Sequence, residues 1–473
     1  MTGVGIYVIM SEILKEVDTM KKNLTVRESI LLSSTLFGMF FGAGNLIFPA
    51  SLGIAAGKNL LPAYAGLFIT AVGLPLLAVA ALGLSRCSGV QELSGKVGKG
   101  YGVFFSTLLY LTIGPLFAIP RCASTSFSVG AVNLIGNADE KTALVIFSAA
   151  FFVVVALFSM KPSKIMTWIG KLLNPVFLVF LGVLVAAALF RPIDPLSAVT
   201  PSATYATGGT AFFSGFLEGY NTLDALAGLA FGIVVVRQVR SMGVEDSGDV
   251  AVSTAKAGVF SCLFMGVIYF AITLVSARSS SVCASCENGG AVLGTIANHY
   301  FGKAGALLMT GIVTVACLKT AVGLVIACCG AFKEMFPKGP GFRTWAILFC
   351  LVGFGIANFG LNTIVAYCVP VLMFIYPLAM TLILLSLFAK RFGDSRTVYV
   401  WTTGFTLFAA LFDLIANLSA TMQGSGVTDT ALLDGFTALG ARFLPFFRLG
   451  MGWVCPALVG FGIGLVMNKR KKA

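Results

Sequence analysis

The chain has 473 residues, of which 58% are apolar and only 11% are charged. A soluble domain carries about 25% charged residues, so this composition excludes a water-soluble protein and indicates a protein embedded in a bilayer. The net charge of +13 does not require a nucleic-acid partner, because the basic residues concentrate in alternate loops, as the positive-inside rule expects.

The first 29 residues are predicted to be a cytoplasmic N-terminal segment. Residues 1–19 are only weakly apolar and have no small-residue cleavage site, so they do not resemble a signal peptide. Met20 remains an alternative start of the chain.

Long apolar stretches separated by short polar turns fill almost all of the remaining sequence. A helix needs about 20 mostly apolar residues to cross the hydrocarbon core. The sequence predicts twelve such spans, at residues 30–55, 60–84, 101–131, 143–158, 168–190, 212–237, 256–277, 303–332, 343–358, 362–388, 397–418 and 445–467.

The first span contains a break at residues 40–49, FFGAGNLIFP. Gly42 and Gly44 have no side chain to support the helix, and Pro49 lacks an N–H. An unwound turn here would expose N–H groups that bind an anion and carbonyl groups that hold a cation. The alternative is that the small residues only allow close helix packing.

The sixth span contains a second break at residues 216–228, FLEGYNTLDALAG. Glu218, Asn221, Thr222 and Asp224 are costly to place in hydrocarbon, so they are expected to face a polar interior that serves as a substrate or ion path. The alternative is that they form interhelical hydrogen bonds.

Most of the eleven cysteines are scattered singly through spans, but Cys283 and Cys286 form a C-x-x-C pair in an outward loop. With His299 as the single histidine, they fall short of a zinc site. A loop disulfide and two free thiols both remain open, and we favour free thiols. The sequence shows neither a catalytic nucleophile with its partners nor a cluster of metal ligands. We therefore expect no enzyme activity, no cofactor and no metal ion other than a possible Na⁺.

The two breaks fall in the first members of two successive sets of five spans. An odd number of spans inverts the second set relative to the first, and interrupted helices at matching positions indicate the binding site of an inverted-repeat transporter. The predicted fold class is an all-α integral membrane protein of about twelve helices, with helices 1 and 6 broken. The predicted units are the first repeat (30–190), an outer loop (191–211), the second repeat (212–388), two further helices (389–467) and a basic cytoplasmic tail (468–473).

Three motifs resemble the branched-chain amino acid:cation symporter family of bacteria. They are FGAGNLIFP at 41–49, LTIGPLFAIPR at 111–121 and EGYNTLDALA at 218–227. The resemblance covers the chain from about Leu24 to its end. It implies the fold of the leucine/sodium symporter (LeuT-type), within the amino acid-polyamine-cation superfamily, and leucine, isoleucine or valine as the substrate.

The resemblance also implies a substrate site at the two breaks. The substrate carboxylate is expected on the N–H groups of Gly42, Ala43 and Gly44, and its ammonium on carbonyls around Phe216, Leu217 and Gly219. Asn45 and Asn221 lie in the same breaks and belong to the predicted site. The predicted apolar wall comprises Phe40, Tyr110, Ile113, Phe216 and Tyr220.

The eighth span departs from the pattern of this fold. Where two neighbouring hydroxyl residues hold a sodium ion, this chain has ACLKT, from Ala316 to Thr320. The Lys319 ammonium is expected to occupy the cation position near the carbonyls of Gly38 and Phe41, as a proton carrier in place of sodium. The alternative is that Lys319 faces another polar cavity or a carboxylate.

Arg121 lies deep enough in the third span to need a partner. Asp224 and Glu218 are the predicted partners in a polar network, and the alternative is that Arg121 extends to the outer membrane face.

Together these features predict a secondary transporter of the bacterial inner membrane, with both termini cytoplasmic. It is expected to import branched-chain amino acids with Na⁺ or H⁺ by alternating access. A carrier for other apolar amino acids such as methionine, an exchanger and a channel are the alternatives. Its expected partners are the amino-acid substrate and membrane lipid, without nucleic acid or an obligate protein partner.

Overall fold

The structure is a computed structural model that describes residues 24–42, 44–85, 87–130, 139–160, 178–244, 246–427 and 429–472. Helices, turns and connecting loops make up this described part of the chain. A helix satisfies its own backbone N–H and carbonyl groups, which hydrocarbon cannot do. Ala43, the N-terminal residues 1–23, residues 168–177 of the fifth predicted span and Ala473 lie outside the described residues.

The first helix starts at a capping box. The Thr25 hydroxyl accepts from the Glu28 N–H at 3.3 Å, and the Glu28 carboxylate accepts from the Thr25 N–H at 2.9 Å, which satisfies two end groups of the helix. The first-half helices are α1 (Val26–Phe40), α2 (Gly44–Ala56), α3 (Leu60–Phe68), α4 (Leu74–Ser85), α5 (Val90–Gly95), α6 (Lys99–Leu111), α7 (Ala118–Val129), α8 (Glu140–Met160) and α9 (Leu178–Phe190).

Two π-helical segments interrupt the first half. Ile69–Gly73 joins α3 to α4, and Thr112–Leu116 joins α6 to α7. The second segment contains Pro115 and a non-helical Gly114, so the third span bends just before it presents Arg121.

The second half continues with longer helices. They are α10 (Gly208–Glu218), α11 (Asp224–Ser241), α12 (Ser247–Ala277), α13 (Gly289–Met335), α14 (Phe342–Ala357), α15 (Leu361–Leu387), α16 (Ala389–Phe392), α17 (Arg396–Gly424), α18 (Ala431–Phe443) and α19 (Val454–Lys472).

Helices coincide with the twelve predicted spans, but the fifth only from residue 178 onward and the twelfth only from Val454 onward. By length and composition, seven continuous helical runs in the described ranges are suited to cross a membrane, and the bent pair α10–α11 makes an eighth. The shorter α9 and α14 are also apolar. The chain is therefore an all-helical, multi-pass membrane protein.

Helical segments that were not predicted from the sequence include α5, α16, α18 and the part of α13 that precedes Gly302, where a positive φ of 61° breaks the helix. Short or amphipathic helices between spans look like polar loops in a hydropathy pattern. The exposed apolar side chains of α18 recur every three or four residues, as in a helix that lies along a membrane surface: Leu432, Phe436, Leu439 and Phe443.

Glycine residues bring α3 and α10 into close contact. A side chain at Gly66 would collide with the backbone of Phe212 and Phe216, and one at Gly215 would collide with the backbone of Ala63. Small residues at such crossings allow dispersion contacts between helices, which replace the hydrophobic effect as the driving force inside lipid.

We expect Gly66→Val to destabilise the fold by about 1–3 kcal/mol or more, because the added methyl groups force α3 and α10 apart. Thermal unfolding of the purified protein in detergent measures this. Gly182→Val is the matched control, since Gly182 is an exposed glycine of α9 with open space around it. Equal unfolding temperatures for the two variants would contradict the packing described here.

Candidate substrate and cation site

The first break separates α1 from α2. Phe41 leaves the helix in an extended conformation, and the Gly42 N–H donates to the side-chain oxygen of Asn45 at 2.9 Å. Gly44 begins α2, so its N–H is among the first-turn donors that have no acceptor within the helix. Of the three N–H groups predicted to hold a carboxylate, that of Gly42 is thus used within the chain, and Ala43 lies outside the described residues.

The second break separates α10 from α11, whose axes differ by 45°. A 3₁₀ turn, Gly219–Thr222, follows α10, and Leu223 then adopts a left-handed conformation with φ of +65°. A non-glycine residue in this region is strained and requires support from its surroundings. The Thr222 hydroxyl closes the turn by donating to the Gly219 carbonyl at 2.9 Å.

One carboxylate joins the two breaks. The Asn45 amide of the first break donates to Asp224 Oδ2 at 2.6 Å, and the Tyr269 hydroxyl of α12 donates to the same oxygen at 3.1 Å. Asn45 also contacts the Tyr269 hydroxyl. All three side chains are buried. Tyr269 was not predicted from the sequence, because a tyrosine in an apolar span looks like ordinary packing.

Arg121 lies beside both breaks. Its Nη1 donates to the Asn221 carbonyl at 2.6 Å, and its guanidinium carbon is 4.9 Å from the centre of the Phe48 ring. Within the described ranges, neither Asp224 nor Glu218 forms an ion pair with it. The structure thus places Arg121 in the interior of the protein, on a backbone carbonyl of the second break.

A cavity of about 430 Å³ opens between the breaks, which is within the usual range for a small-molecule site. Its walls come from the first, third, sixth and eighth spans. The predicted site residues that line it are Gly38, Phe40, Gly42, Gly44, Asn45, Ile113, Arg121, Asp224, Lys319 and Thr320.

The eighth span approaches the first break through Thr320. An added Cβ at Gly42 would lie 3.3 Å from the Thr320 Cγ2 and 3.4 Å from its hydroxyl oxygen. That hydroxyl donates to the Ala316 carbonyl at 3.0 Å. Lys319, one residue earlier, also lines the cavity. Lys319 and Thr320 are therefore brought together with the first break, as predicted for a cation site.

Other predicted site residues do not line the cavity. Phe41 stacks on Phe37, and the Tyr110 hydroxyl donates to the Ala230 carbonyl at 3.3 Å. Ala316 contributes its carbonyl to Thr320. These groups belong to the packing around the site in this conformation.

The carbonyl groups predicted to receive the ammonium are used within the chain. The Phe216 carbonyl accepts from the Thr70 hydroxyl at 2.8 Å. The Leu217 carbonyl accepts from the Gly219 N–H, and the Gly219 carbonyl accepts from Thr222. The 3₁₀ turn therefore satisfies much of the backbone that an unwound helix would leave open.

The remaining predicted residues of the sixth span lie behind the cavity wall. Tyr220 is fully buried and stacks on Tyr376, with ring centroids 4.1 Å apart. Asn221 donates from its amide to Glu218 at 3.2 Å. These residues support the 3₁₀ turn that ends at Thr222, and the cavity residues Leu223 and Asp224 come directly after it.

Most of the apolar residues that line the cavity were not predicted from the sequence. Their signal was the helical period, since Ala227 and Phe231 lie three and seven residues after Asp224 and share its face of α11. The same period relates several residues of the eighth span to Lys319. The lining residues that were not predicted are Ala118, Cys122, Leu223, Ala227, Phe231, Val322, Gly323, Leu324, Ile326 and Ala327.

The loop cysteines are free thiols. Cys283 Sγ lies 3.9 Å from the Val292 carbonyl, and Cys286 Sγ lies 3.4 Å from the Thr295 hydroxyl.

The arrangement of helices is similar to that of Mhp1, a nucleobase-cation-symport-1 family transporter. The inward-facing conformation of Mhp1 aligns with a TM-score of 0.58 at 13% identity, covering 94% of this chain and 91% of that chain. A closed conformation with bromovinylhydantoin bound aligns with a TM-score of 0.54 at 15% identity, covering 93% and 92%. At these identities the likeness concerns the fold, which is the five-plus-five inverted repeat of LeuT-like transporters.

Sequence comparison is more specific. Residues 25–471 match the model of a family described as branched-chain amino acid transport protein. The chain is 47% identical to the branched-chain amino acid permease BrnQ of Lactobacillus delbrueckii subsp. lactis, over 95% of this chain and 100% of that protein. It is 38% identical to BrnQ of Bacillus subtilis, over 95% and 98%. This chain belongs to the branched-chain amino acid transport protein family.

Proposed function

We propose that this protein imports leucine, isoleucine and valine across the bacterial inner membrane, driven by a gradient of Na⁺ or H⁺. The main support for this proposal is the cavity between the two helix breaks, which combines buried charged groups with an apolar wall. The relatives from L. delbrueckii and B. subtilis are named as branched-chain amino acid permeases, which supports transport rather than catalysis.

The cavity has the chemistry that a branched-chain amino acid needs. A zwitterion in a membrane requires separate partners for its carboxylate and its ammonium, while an aliphatic side chain requires only a dry apolar surface. Asp224 supplies an anion beside the second break, and Gly44 begins a helix at the first. Ile113, Phe231 and other apolar residues form the rest of the wall.

Alternating access would move the broken spans relative to the third and eighth spans, with the cavity between them. In this proposal residues 30–190 and 212–388 form the two inverted repeats, each of which contributes one broken span, and the motion of the two broken spans opens the site to one side and then to the other. The basic loops and the tail at 468–473 face the cytoplasm, together with the N-terminus, because positive residues accumulate on that side.

Coupling would take place where the eighth span meets the first break. Lys319 lines the cavity, and Thr320 packs against Gly42. We propose that the Lys319 ammonium replaces a sodium ion here and that its proton is released and regained in each transport cycle.

Purified protein in proteoliposomes should take up labelled leucine saturably when an ion gradient is imposed. Isoleucine and valine, and to some extent methionine, should compete, because each places an uncharged side chain in the apolar part of the cavity. Lysine and glutamate should not compete, since their side-chain charge would enter without a partner. Competition by glutamate equal to that by valine would overturn the proposed selectivity.

Gly44→Val should reduce leucine uptake by at least about tenfold, because overpacking of 1.4 kcal/mol or more already costs a factor of ten. An added Cβ would lie 2.8 Å from Arg121 Nη2 and 3.4 Å from the Thr222 carbonyl oxygen. Gly355→Val, at an exposed glycine of α14 with open space around it, is the control. Normal uptake by Gly44→Val at normal expression would remove the first break from the site.

Uptake should be independent of sodium and should follow the proton gradient. Two positive charges about 4 Å apart repel by about 4 kcal/mol at an effective dielectric of 20, so sodium and the Lys319 ammonium exclude each other. Lys319→Thr places a second hydroxyl beside Thr320 and should create a sodium requirement, whereas Lys319→Met should uncouple or stop transport. Wild-type uptake that rises steeply with sodium at fixed pH would show that sodium is held beside Thr320 instead.

A further inference from the structure

Arg121 is a buried cation, and no carboxylate of the described residues lies within ion-pair distance of it. Only 5% of its surface is exposed, and its one hydrogen bond within the described ranges goes to the carbonyl of Asn221. A buried guanidinium is stable when a carboxylate or phosphate neutralises it. The two acids predicted as its partners have other hydrogen bonds, since Asp224 accepts from Asn45 and Tyr269, and Glu218 accepts from Asn221.

The Nη2 side of the guanidinium, for which the described residues show no hydrogen bond, faces the first break. Nη2 is so close to Gly44 that an added Cβ there would approach it to 2.8 Å, while Nη1 is occupied by Asn221. Arg121 and Gly44 line the same cavity. An anion at this position would meet the guanidinium and the start of α2, where the Asn45 N–H donates to the Gly42 carbonyl at 3.2 Å and the Gly44 N–H has no acceptor within the helix.

We propose that Arg121 binds the carboxylate of the amino-acid substrate, an inference that rests on the proposed function. The carboxylate contacts the Nη2 side of the guanidinium and the start of α2, and the ammonium faces Asp224, the one acidic residue among the described residues that line the cavity. The zwitterion thus gives Arg121 a direct carboxylate contact, which the described side chains do not provide. This assignment gives the carboxylate a partner in addition to the N–H groups of the first break.

If Arg121 binds the carboxylate, the substrate needs a free carboxylate group. An amino acid with a free carboxylate forms charge-assisted hydrogen bonds with the guanidinium, and a neutral amide in its place does not. Leucinamide keeps the ammonium and the side chain of leucine, so it probes the carboxylate contact alone. Lysine cannot fully replace arginine here, because it lacks the planar pair of donors.

The experiment measures displacement of labelled leucine from the purified full-length protein in detergent by leucine and by leucinamide, at a pH where both amines are protonated. Charge-assisted hydrogen bonds predict that the wild type prefers leucine by about 10- to 100-fold. Arg121→Gln should weaken leucine binding by about that factor and leave leucinamide binding within about threefold, so that the preference disappears. Arg121→Lys should retain part of the preference.

Several results would overturn the assignment. One is equal weakening of both ligands in Arg121→Gln, which would show that Arg121 only supports the turn at Asn221. Another is loss of the preference in Lys319→Gln, the variant of the second cation in the cavity, with the preference retained in Arg121→Gln. If Arg121→Gln fails to fold in a thermal unfolding assay, the wild-type ratio decides, and a ratio near one contradicts the proposal. Wild-type protein that binds neither ligand would refute the proposed function itself.

Discussion

Polar groups in hydrocarbon need partners inside the protein, and this requirement shapes the whole fold. Two helix breaks expose backbone groups, and Asp224 adds a buried carboxylate at one of them. The structure resolves both problems with one cluster, in which Asn45 and Tyr269 donate to Asp224. A hydrogen bond to a charged group contributes about 1.5–3 kcal/mol, so this cluster helps to hold the first, sixth and seventh spans together.

The same constraint explains why the cavity lies where it does. Irregular backbone is tolerated at membrane depth only where it is buried in protein or lines a cavity. Both breaks therefore face a common space, and the third and eighth spans close its other side with Arg121, Lys319 and Thr320. A site between two groups of helices is suited to alternating access, because movement of one group against the other changes which side of the membrane it faces.

Much of this arrangement was predictable from the sequence. Glycine, proline and clustered polar residues in apolar spans indicated both breaks, and the spacing of the spans indicated the inverted repeat. The sequence did not indicate how each break closes. The 3₁₀ turn, Gly219–Thr222, uses carbonyls that were expected to be open, and Asn45 occupies the Gly42 N–H. Such local bonds depend on tertiary geometry, which periodicity does not contain.

The apolar lining and Tyr269 were missed for a different reason. Side chains such as Phe231 and Ile326 have the same composition and period as residues that face lipid or other helices. Phe231 shares a helix face with Asp224, and Ile326 shares one with Lys319. That shared face identifies them as lining residues only when the orientation of each helix is known. Polar residues in a membrane span are informative by being rare, whereas apolar ones acquire meaning only from the packing around them.

An experimental structure of the protein with leucine bound would test the proposed substrate site. We expect ligand density in the cavity between Gly44 and Asp224, with the aliphatic side chain against Ile113 or Phe231. Ligand density elsewhere, with this cavity empty or filled only by water, would contradict it.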